Sequence, residues 1–287
     1  MKVVLFCGGL GMRMRDGVSS GPKPMAMVGE RPLLWHVMRY YAHFGHTDFI
    51  LCLGYCASYV KDFFLSYDET RSNDFVLENG AREVKLFSTD ISEWRITFVD
   101  TGLHSPIGER LRRVRRFVDG ESIFLANYAD VLTNAELPDM IERFKASSAV
   151  AGLLAVPPQS SHHVVDIDDD GLITQVTPMR DLRQWENGGY FLLRPEIFDH
   201  LNEGEDLVDD AIMRLVPQRR VLAYPYKGYW SPADTVKERA QLEEMYHRGT
   251  CPWMIWDPER SGMTPPADAA LPAPGARNPV PPSSASG

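Results

Sequence analysis

The chain is defined first by what it lacks. No apolar run approaches the roughly 20 residues needed to cross a bilayer, so no membrane-spanning segment is expected. The N-terminus offers one lysine and six apolar residues before its first glycines, too short for the apolar core of a signal peptide. Only four cysteines occur in 287 residues: Cys7, Cys52, Cys56 and Cys251. None forms the paired short spacing of a zinc site, and four are too few for a disulfide scaffold. A reducing cytoplasm is the expected setting. Positive charge is also scarce, the formal net charge being −9. That excludes a general nucleic-acid binder, whose affinity rests on cationic contacts with phosphates. Two phosphate-binding signatures are missing as well. There is no Gly-Lys-Ser/Thr of a P-loop, and Met14 stands where the dinucleotide fingerprint needs its last glycine. No Ser-His-Asp or Cys-His set suggests a covalent nucleophile.

What is present is a large apolar fraction, 44%, enough for a sizeable core. Strand-like and helix-like runs alternate. Residues 3–7, 48–53, 95–99, 122–126 and 150–156 read as strands, and 32–44, 57–65, 108–118 and 137–147 as helices. This rhythm predicts an α/β fold, a doubly wound, mostly parallel sheet with helices on its faces. Ligands of such sheets sit at the carboxyl ends of strands, where the glycine loop after the first strand and residues 127–131 fall. From Val164 the pattern changes. VVDIDDDGLITQV reads as a hairpin around an Asp-Gly turn. Strands at 190–193 and 220–224 and helices at 206–216 and 234–248 follow. Past Arg260 the sequence is Pro, Ala, Ser and Gly with few large apolar residues, so the tail, 259–287, is expected to be disordered. One domain is expected over 1–258, with a nucleotide-binding core at about 1–155 and a smaller β-rich acceptor-binding region at about 156–258. No internal repeat is visible.

The first loop reads GGLGMRMRDGVSSGPKP. Glycines after a strand let backbone N–H groups approach a phosphate closely. Taken alone, the loop is equally a plain glycine turn with solvated arginines. Asp166 to Gly171 imitates the start of a calcium loop, but its twelfth position is Thr177 rather than a bidentate glutamate, so a hairpin turn is expected. His162-His163 reads as a surface pair, and Cys52 and Cys56 as buried thiols.

GGLGMRM, PKPM and RPLLWHVMRYYAHFGHTDFIL together resemble the start of the sugar-1-phosphate nucleotidyltransferase family. ITFVDTG, GERLRRV, YADV, ENGGYFLL, KGYWSPADTVKER and CPWMIW follow in the order found in its glucose-1-phosphate cytidylyltransferases. The resemblance runs from about residue 1 to about 257. It implies transfer of a nucleotidyl group from an NTP, CTP by this likeness, to a sugar 1-phosphate. Glucose 1-phosphate would give CDP-glucose, with release of pyrophosphate. The attacking phosphate oxygen is already ionised, so the protein must supply positioning and charge neutralisation rather than a general base. By the same resemblance Gly8, Gly9 and Gly11 supply backbone donors. Arg13 contacts the triphosphate, and Lys23 stabilises charge at the reacting phosphate. Asp130 and Asp234 hold Mg²⁺, and Arg110 lies near the nucleotide. Gly102, Asn187 and Gly188 line the sugar nucleotide. Trp230 either packs on the sugar or is simply core. Two acids also have local readings: Asp130 as a strand-end turn and Asp234 as a helix N-cap. Arg110 has one too, a solvated helix face beside the apolar stripe of Leu111, Val114 and Val118. The family commonly assembles, which leaves a homo-oligomer open.

Three positions depart from the family pattern. Thr177 stands where the family has a lysine that grips the sugar phosphate, Met12 replaces a hydroxyl residue, and YADV replaces YGDG. Losing a cation at a phosphate removes a charge-assisted hydrogen bond of about 1.5–3 kcal/mol. Either Arg180 or Arg183 replaces the lysine, or the acceptor is a different phosphorylated molecule, or the chain is a weak relative that only binds nucleotide.

Overall fold

The computed structural model describes residues 1–9, 21–159 and 162–262. The expectations for Gly11, Met12, Arg13 and the tail beyond residue 262 therefore lie outside the described residues.

The chain opens with β1 (Val3–Phe6), every residue of which is buried. Two-residue strands β2 (Met27–Val28) and β3 (Arg31–Pro32) pair and lead into α1 (Leu33–His43). Then come β4 (Asp48–Leu53), α2 (Ala57–Leu65), the hairpin β5 (Phe75–Glu78) and β6 (Glu83–Leu86), β7 (Arg95–Asp100) and α3 (Ile107–Val118). β8 (Phe124–Asn127), β9 (Val131–Thr133), α4 (Leu137–Lys145) and β10 (Ala151–Val156) complete the first half. The second half holds the hairpin β11 (His163–Ile167) and β12 (Ile173–Pro178), then β13 (Glu186–Leu193), α5 (Met213–Leu215), β14 (Val221–Pro225), β15 (Trp230–Pro232), α6 (Val236–His247) and α7 (Pro258–Ser261).

Seven strands form one sheet in the order β14-β10-β13-β8-β1-β4-β7. All neighbours are parallel except β13, which runs antiparallel to both β10 and β8. Helices cover both faces, so the central strands are apolar on both sides. Val3 and Leu5 enter one core with Leu34, Met38 and Phe144; Val4 and Phe6 enter the other with Leu111, Val114 and Ile197. The expected α/β architecture is the observed one.

Local differences have physical causes. The helix expected at 206–216 is built of wide π-type turns over Leu207–Ile212 before α5 closes it, with the Asp206 carboxylate accepting from the amides of Val208 and Asp209. The final helix begins at Val236 because Thr235, not Asp234, caps it. The Thr235 hydroxyl accepts from the Glu238 amide, and Glu238 reaches back to the Thr235 amide in a capping box. The Asp166–Gly171 stretch is a hairpin turn, with Gly171 at φ +81° and the Asp168 carboxylate accepting from the amides of Asp170 and Leu172. The hairpin β5–β6 and the short ladder of β9 with β15 were not anticipated from sequence.

Candidate active site

Three side chains from distant parts of the chain converge at the carboxyl end of the sheet. Lys23 opens a single tight turn between Pro22 and Pro24, whose rings fix the backbone. Its ammonium donates to Asp130 Oδ2 at 2.6 Å and to Asp234 Oδ1, partners 107 and 211 residues away. The ladder of β9 with β15 brings the two acids together: Val131 faces Pro232, and the Ala233 amide donates to the Asp130 carbonyl at 3.0 Å. Asp130 is aimed by Ala129, which holds φ +64° and whose amide donates to Asn127 Oδ1 at 2.6 Å. That left-handed backbone is one that glycine adopts without strain. It lies where YADV departs from YGDG. Because the helix cap is Thr235, the Asp234 carboxylate is left for Lys23.

The electrostatics follow from burial. Burial pushes the Asp130 carboxyl above its ordinary range; Lys23 pulls it back only in part, and Asp234 adds to the upward push. Burial alone would lower Lys23, but its two carboxylate partners hold it above the ordinary lysine value. Two carboxylates against one ammonium leave the cluster one positive charge short. The donor set is all oxygen, and two carboxylates with phosphate oxygens are what Mg²⁺ accepts. The residues therefore fit a hard divalent cation, with Asp130 and Asp234 as the carboxylates. Among the described residues no group of three or more His, Cys, Asp or Glu offers a complete protein cage.

The glycine edge is built differently from the expectation. Arg110 is 3% exposed. Its Nη1 donates to the Leu53 carbonyl at 3.2 Å and to Thr101 Oγ1 at 2.9 Å. Its Nη2 donates to the carbonyls of Gly8 at 2.9 Å and Leu103 at 3.2 Å. One guanidinium thus ties together the ends of β1, β4 and β7. The solvated-face alternative for Arg110 does not hold; that face belongs to Arg112, Arg113, Arg115 and Arg116. Burial without a carboxylate partner lowers its pKa. A Cβ at Gly8 would fall on this guanidinium, whereas a Cβ at Gly9 would meet nothing within 4 Å among the described residues. Gly102 holds φ +87°, with Arg113 Nη1 2.7 Å from where its Cβ would sit.

Of the residues expected to line the sugar nucleotide, Gly102 follows edge strand β7, whereas Asn187, Gly188 and Trp230 lie beside a bulge. Between Leu153 and Ala155 the register of β10 against β13 slips, so that Ala155 faces Asn187 while Leu153 faces Phe191. Bulges of this kind redirect side chains beside functional sites. Asn187 Nδ2 donates to the Tyr128 hydroxyl at 3.1 Å, and its Oδ1 accepts from the Gly189 amide at 3.0 Å. Trp230 is buried, and its indole N–H donates to the Gly188 carbonyl at 2.9 Å. Trp230 packs within the buried cluster of the face that holds Val3 and Leu5. Tyr128, which the sequence reading passed over, is the link between Asn187 and the Asp130 turn. Thr177 lies on β12 opposite Val164 and accepts from Gln175 Nε2, with no cation bonded to it among the described residues. Arg183 is exposed.

No family model matches the chain. The glucose-1-phosphate cytidylyltransferases of Salmonella typhi and Salmonella typhimurium are each 32% identical to it over 259 residues, 90% of this chain and 100% of theirs. Among solved structures, a UTP-bound UGPase from Acinetobacter baumannii aligns with a TM-score of 0.60 at 20% identity, over 91% of this chain and 95% of that one. That likeness extends the observed architecture to a common fold. Among the described residues, no helix is long and apolar enough to cross a membrane.

Proposed function

This chain belongs to the sugar-1-phosphate nucleotidyltransferases, of the glucose-1-phosphate cytidylyltransferase type, and on that footing we propose that it joins CTP to glucose 1-phosphate, giving CDP-glucose and pyrophosphate. The observation that carries the proposal is Lys23 held between Asp130 and Asp234. An oxygen of the sugar phosphate attacks the α-phosphorus; that P–O bond forms as the bond to the β-phosphate oxygen breaks, and pyrophosphate leaves. Lys23 offers its ammonium to the α-phosphate, where negative charge concentrates during the displacement. Asp130 and Asp234 hold Mg²⁺, which when bound supplies charge neutralisation to the triphosphate. Arg110 fixes the Gly8 backbone from below, so its action on the nucleotide runs through the shape of the loop. Asn187, Gly188 and Gly102 border the sugar-nucleotide side. Four free thiols suit a reducing cytoplasm.

Purified protein given Mg²⁺, each NTP in turn and a panel of sugar 1-phosphates is expected to release pyrophosphate fastest with CTP. No release from any pair sinks the enzyme reading. Thr177 supports a second reading, a changed acceptor. Release with CTP and another phosphorylated compound but not with glucose 1-phosphate selects it.

A further inference from the structure

A groove of about 1410 Å³ opens between the start of α1, the segment around β5 and β6, and the turn that becomes α7. None of Lys23, Asp130, Asp234, Asn187 or Trp230 lines it. It is larger than the roughly 300–1,000 Å³ a small molecule fills. Its wall is rich in aromatic rings, with several buried nitrogen donors behind it. Trp35 Nε1, Arg31 Nε, Arg39 Nε and Arg260 Nη1 are buried without a hydrogen-bond partner, against one unpartnered acceptor, Asp90 Oδ1. Trp35 and Arg31 are 5% and 4% exposed. These atoms are shut off within the wall, and what the lining offers an occupant is aromatic surface from Trp35, Phe75, Phe87, Tyr246 and Trp256. Phe75 and Phe87 at the rim are exposed, Phe87 by 73%.

We propose that this groove holds the chain's own proline-rich C-terminal segment, residues 263–287. Three observations support that occupant over any other. The segment carries seven prolines, Pro265, Pro266, Pro272, Pro274, Pro279, Pro281 and Pro282. Each keeps its carbonyl and lacks an N–H, so the stretch is a row of acceptors with few donors. Polyproline segments dock on aromatic-lined grooves, pyrrolidine rings against aromatic faces. The tether is already at the rim: Pro258, Glu259 and Arg260 line the groove, and Gly262 at φ +67° ends α7 and turns the chain. Pro265 is three residues on, about 9 Å in an extended polyproline helix, so docking is intramolecular at high effective concentration. The segment also lies past the point, near residue 257, where the resemblance to the cytidylyltransferases stops. The Salmonella typhi relative is matched over its whole length by 90% of this chain. The groove itself is walled mostly by residues 30–257, within the stretch shared with the relatives, and only Pro258, Glu259 and Arg260 of its lining lie past it.

The test uses the full chain labelled with 5-fluorotryptophan. Its six fluorine signals are assigned by single Trp→Phe substitutions. A chain carrying Pro265→Ser, Pro266→Ser, Pro272→Ser and Pro274→Ser together is compared with the unaltered one. The expected result is a shift of the Trp35 and Trp256 signals, with Trp94 and Trp185 unmoved. A synthetic 263–287 peptide added to the substituted chain should restore the original signals. Phe87→Ala in that chain should weaken the peptide about two- to tenfold, the worth of one aromatic contact. Identical Trp35 and Trp256 signals in the two chains overturn the proposal. So do signals that move with protein concentration alone, which would put a second copy in the groove, and so does a peptide that restores nothing.

Discussion

The three glycine positions at the carboxyl edge of the sheet should respond to the same small substitution in three different ways. Gly8→Ala places a methyl group on the guanidinium of Arg110. A long side chain normally swings aside at little cost, but this one is 3% exposed and held by four hydrogen bonds of 2.9–3.2 Å. The obstacle is Nη1 and Cζ, so the Nη1 bonds to Leu53 and Thr101 must go first. Two charge-assisted bonds at about 1.5 kcal/mol each give a cost of about 3 kcal/mol. In an Arg110→Ala background the obstacle is gone, and Gly8→Ala should cost under about 1 kcal/mol, a coupling of about 2 kcal/mol. Gly54→Ala is the internal control. Its methyl meets Arg110 Nη1 at 2.8 Å but also the carbonyls of Gly8 at 2.8 Å and Gly102 at 2.9 Å, and backbone does not move away when Arg110 is removed. Its cost should persist in both backgrounds. Gly9→Ala, whose methyl meets none of the described residues within 4 Å, should stay within about 0.5 kcal/mol of the parent. Urea unfolding followed by tryptophan fluorescence reads all six variants. Equal costs for Gly8→Ala with and without Arg110 would refute the guanidinium as the obstacle. Rescue of Gly54→Ala would refute the backbone account.

Other consequences are as direct. Asp130→Asn should abolish pyrophosphate release yet raise stability by up to about 1 kcal/mol, because burial disfavours the ionised Asp130 and the amide keeps an acceptor for Lys23; calorimetry alongside the activity assay decides it. Asp234→Ala should also abolish turnover but leave the start of α6 intact, whereas Thr235→Ala should cost about 1 kcal/mol of stability and spare much of the rate. His36, 1% exposed, is held neutral, its pKa lowered to about 4 by burial, with Nε2 bonded to the Val28 carbonyl and Nδ1 accepting from Trp253. Its unfolded form takes up a proton near pH 6.5, so stability is intact above that pH and falls as pH drops toward 4, by up to about 3 kcal/mol. His36→Gln should flatten that part of the pH–stability curve.

The parts legible in sequence were those that burial dictates. β1, β4 and β8 are apolar on both sides because they are central and parallel, and they announce themselves as continuous runs. α2 stands at the expected 57–65. The β5–β6 hairpin escaped although Asn79-Gly80 is a strong turn signal and both residues have positive φ. Phe75, Val76, Leu77 and Val84 are all exposed, so the usual alternation of apolar and polar positions is absent. The ladder of β9 with β15 has three residues a side, separated by about a hundred in sequence, and no local pattern encodes it. Yet that ladder is what brings Asp130 to Asp234. Arg110 is the instructive miss. Spacing by four places it with Val114 and Val118 on the buried side of α3, so its burial was readable. Its partners were not, because the carbonyls of Gly8, Leu53 and Leu103 meet only when three strands end side by side.

The two halves of the site are held with unequal force, and this bears on where specificity is free to change. The nucleotide side, as proposed, rests on the buried strand β1 and the mostly buried β4, an arginine bonded to four groups and a helix start fixed by a capping box; a substitution there disturbs the sheet as well as the chemistry. The acceptor side, as proposed, includes β11 and β12, where Val164, Val165, Ile167, Ile173 and Val176 are 40–61% exposed. Thr177 in that hairpin supports only its own strand pairing and a bond from Gln175. Exchanging a lysine for threonine at such a position costs the fold almost nothing, since surface changes away from special features stay within about 0.5 kcal/mol. On the proposed acceptor site it would remove a phosphate contact of about 1.5–3 kcal/mol. Thr177→Lys therefore separates the acceptor readings. If glucose 1-phosphate is the acceptor and only weakly gripped, the lysine should lower its KM about tenfold or more with little change in kcat. If another acceptor has replaced it, the lysine should leave glucose 1-phosphate unused and impair the acceptor now in place.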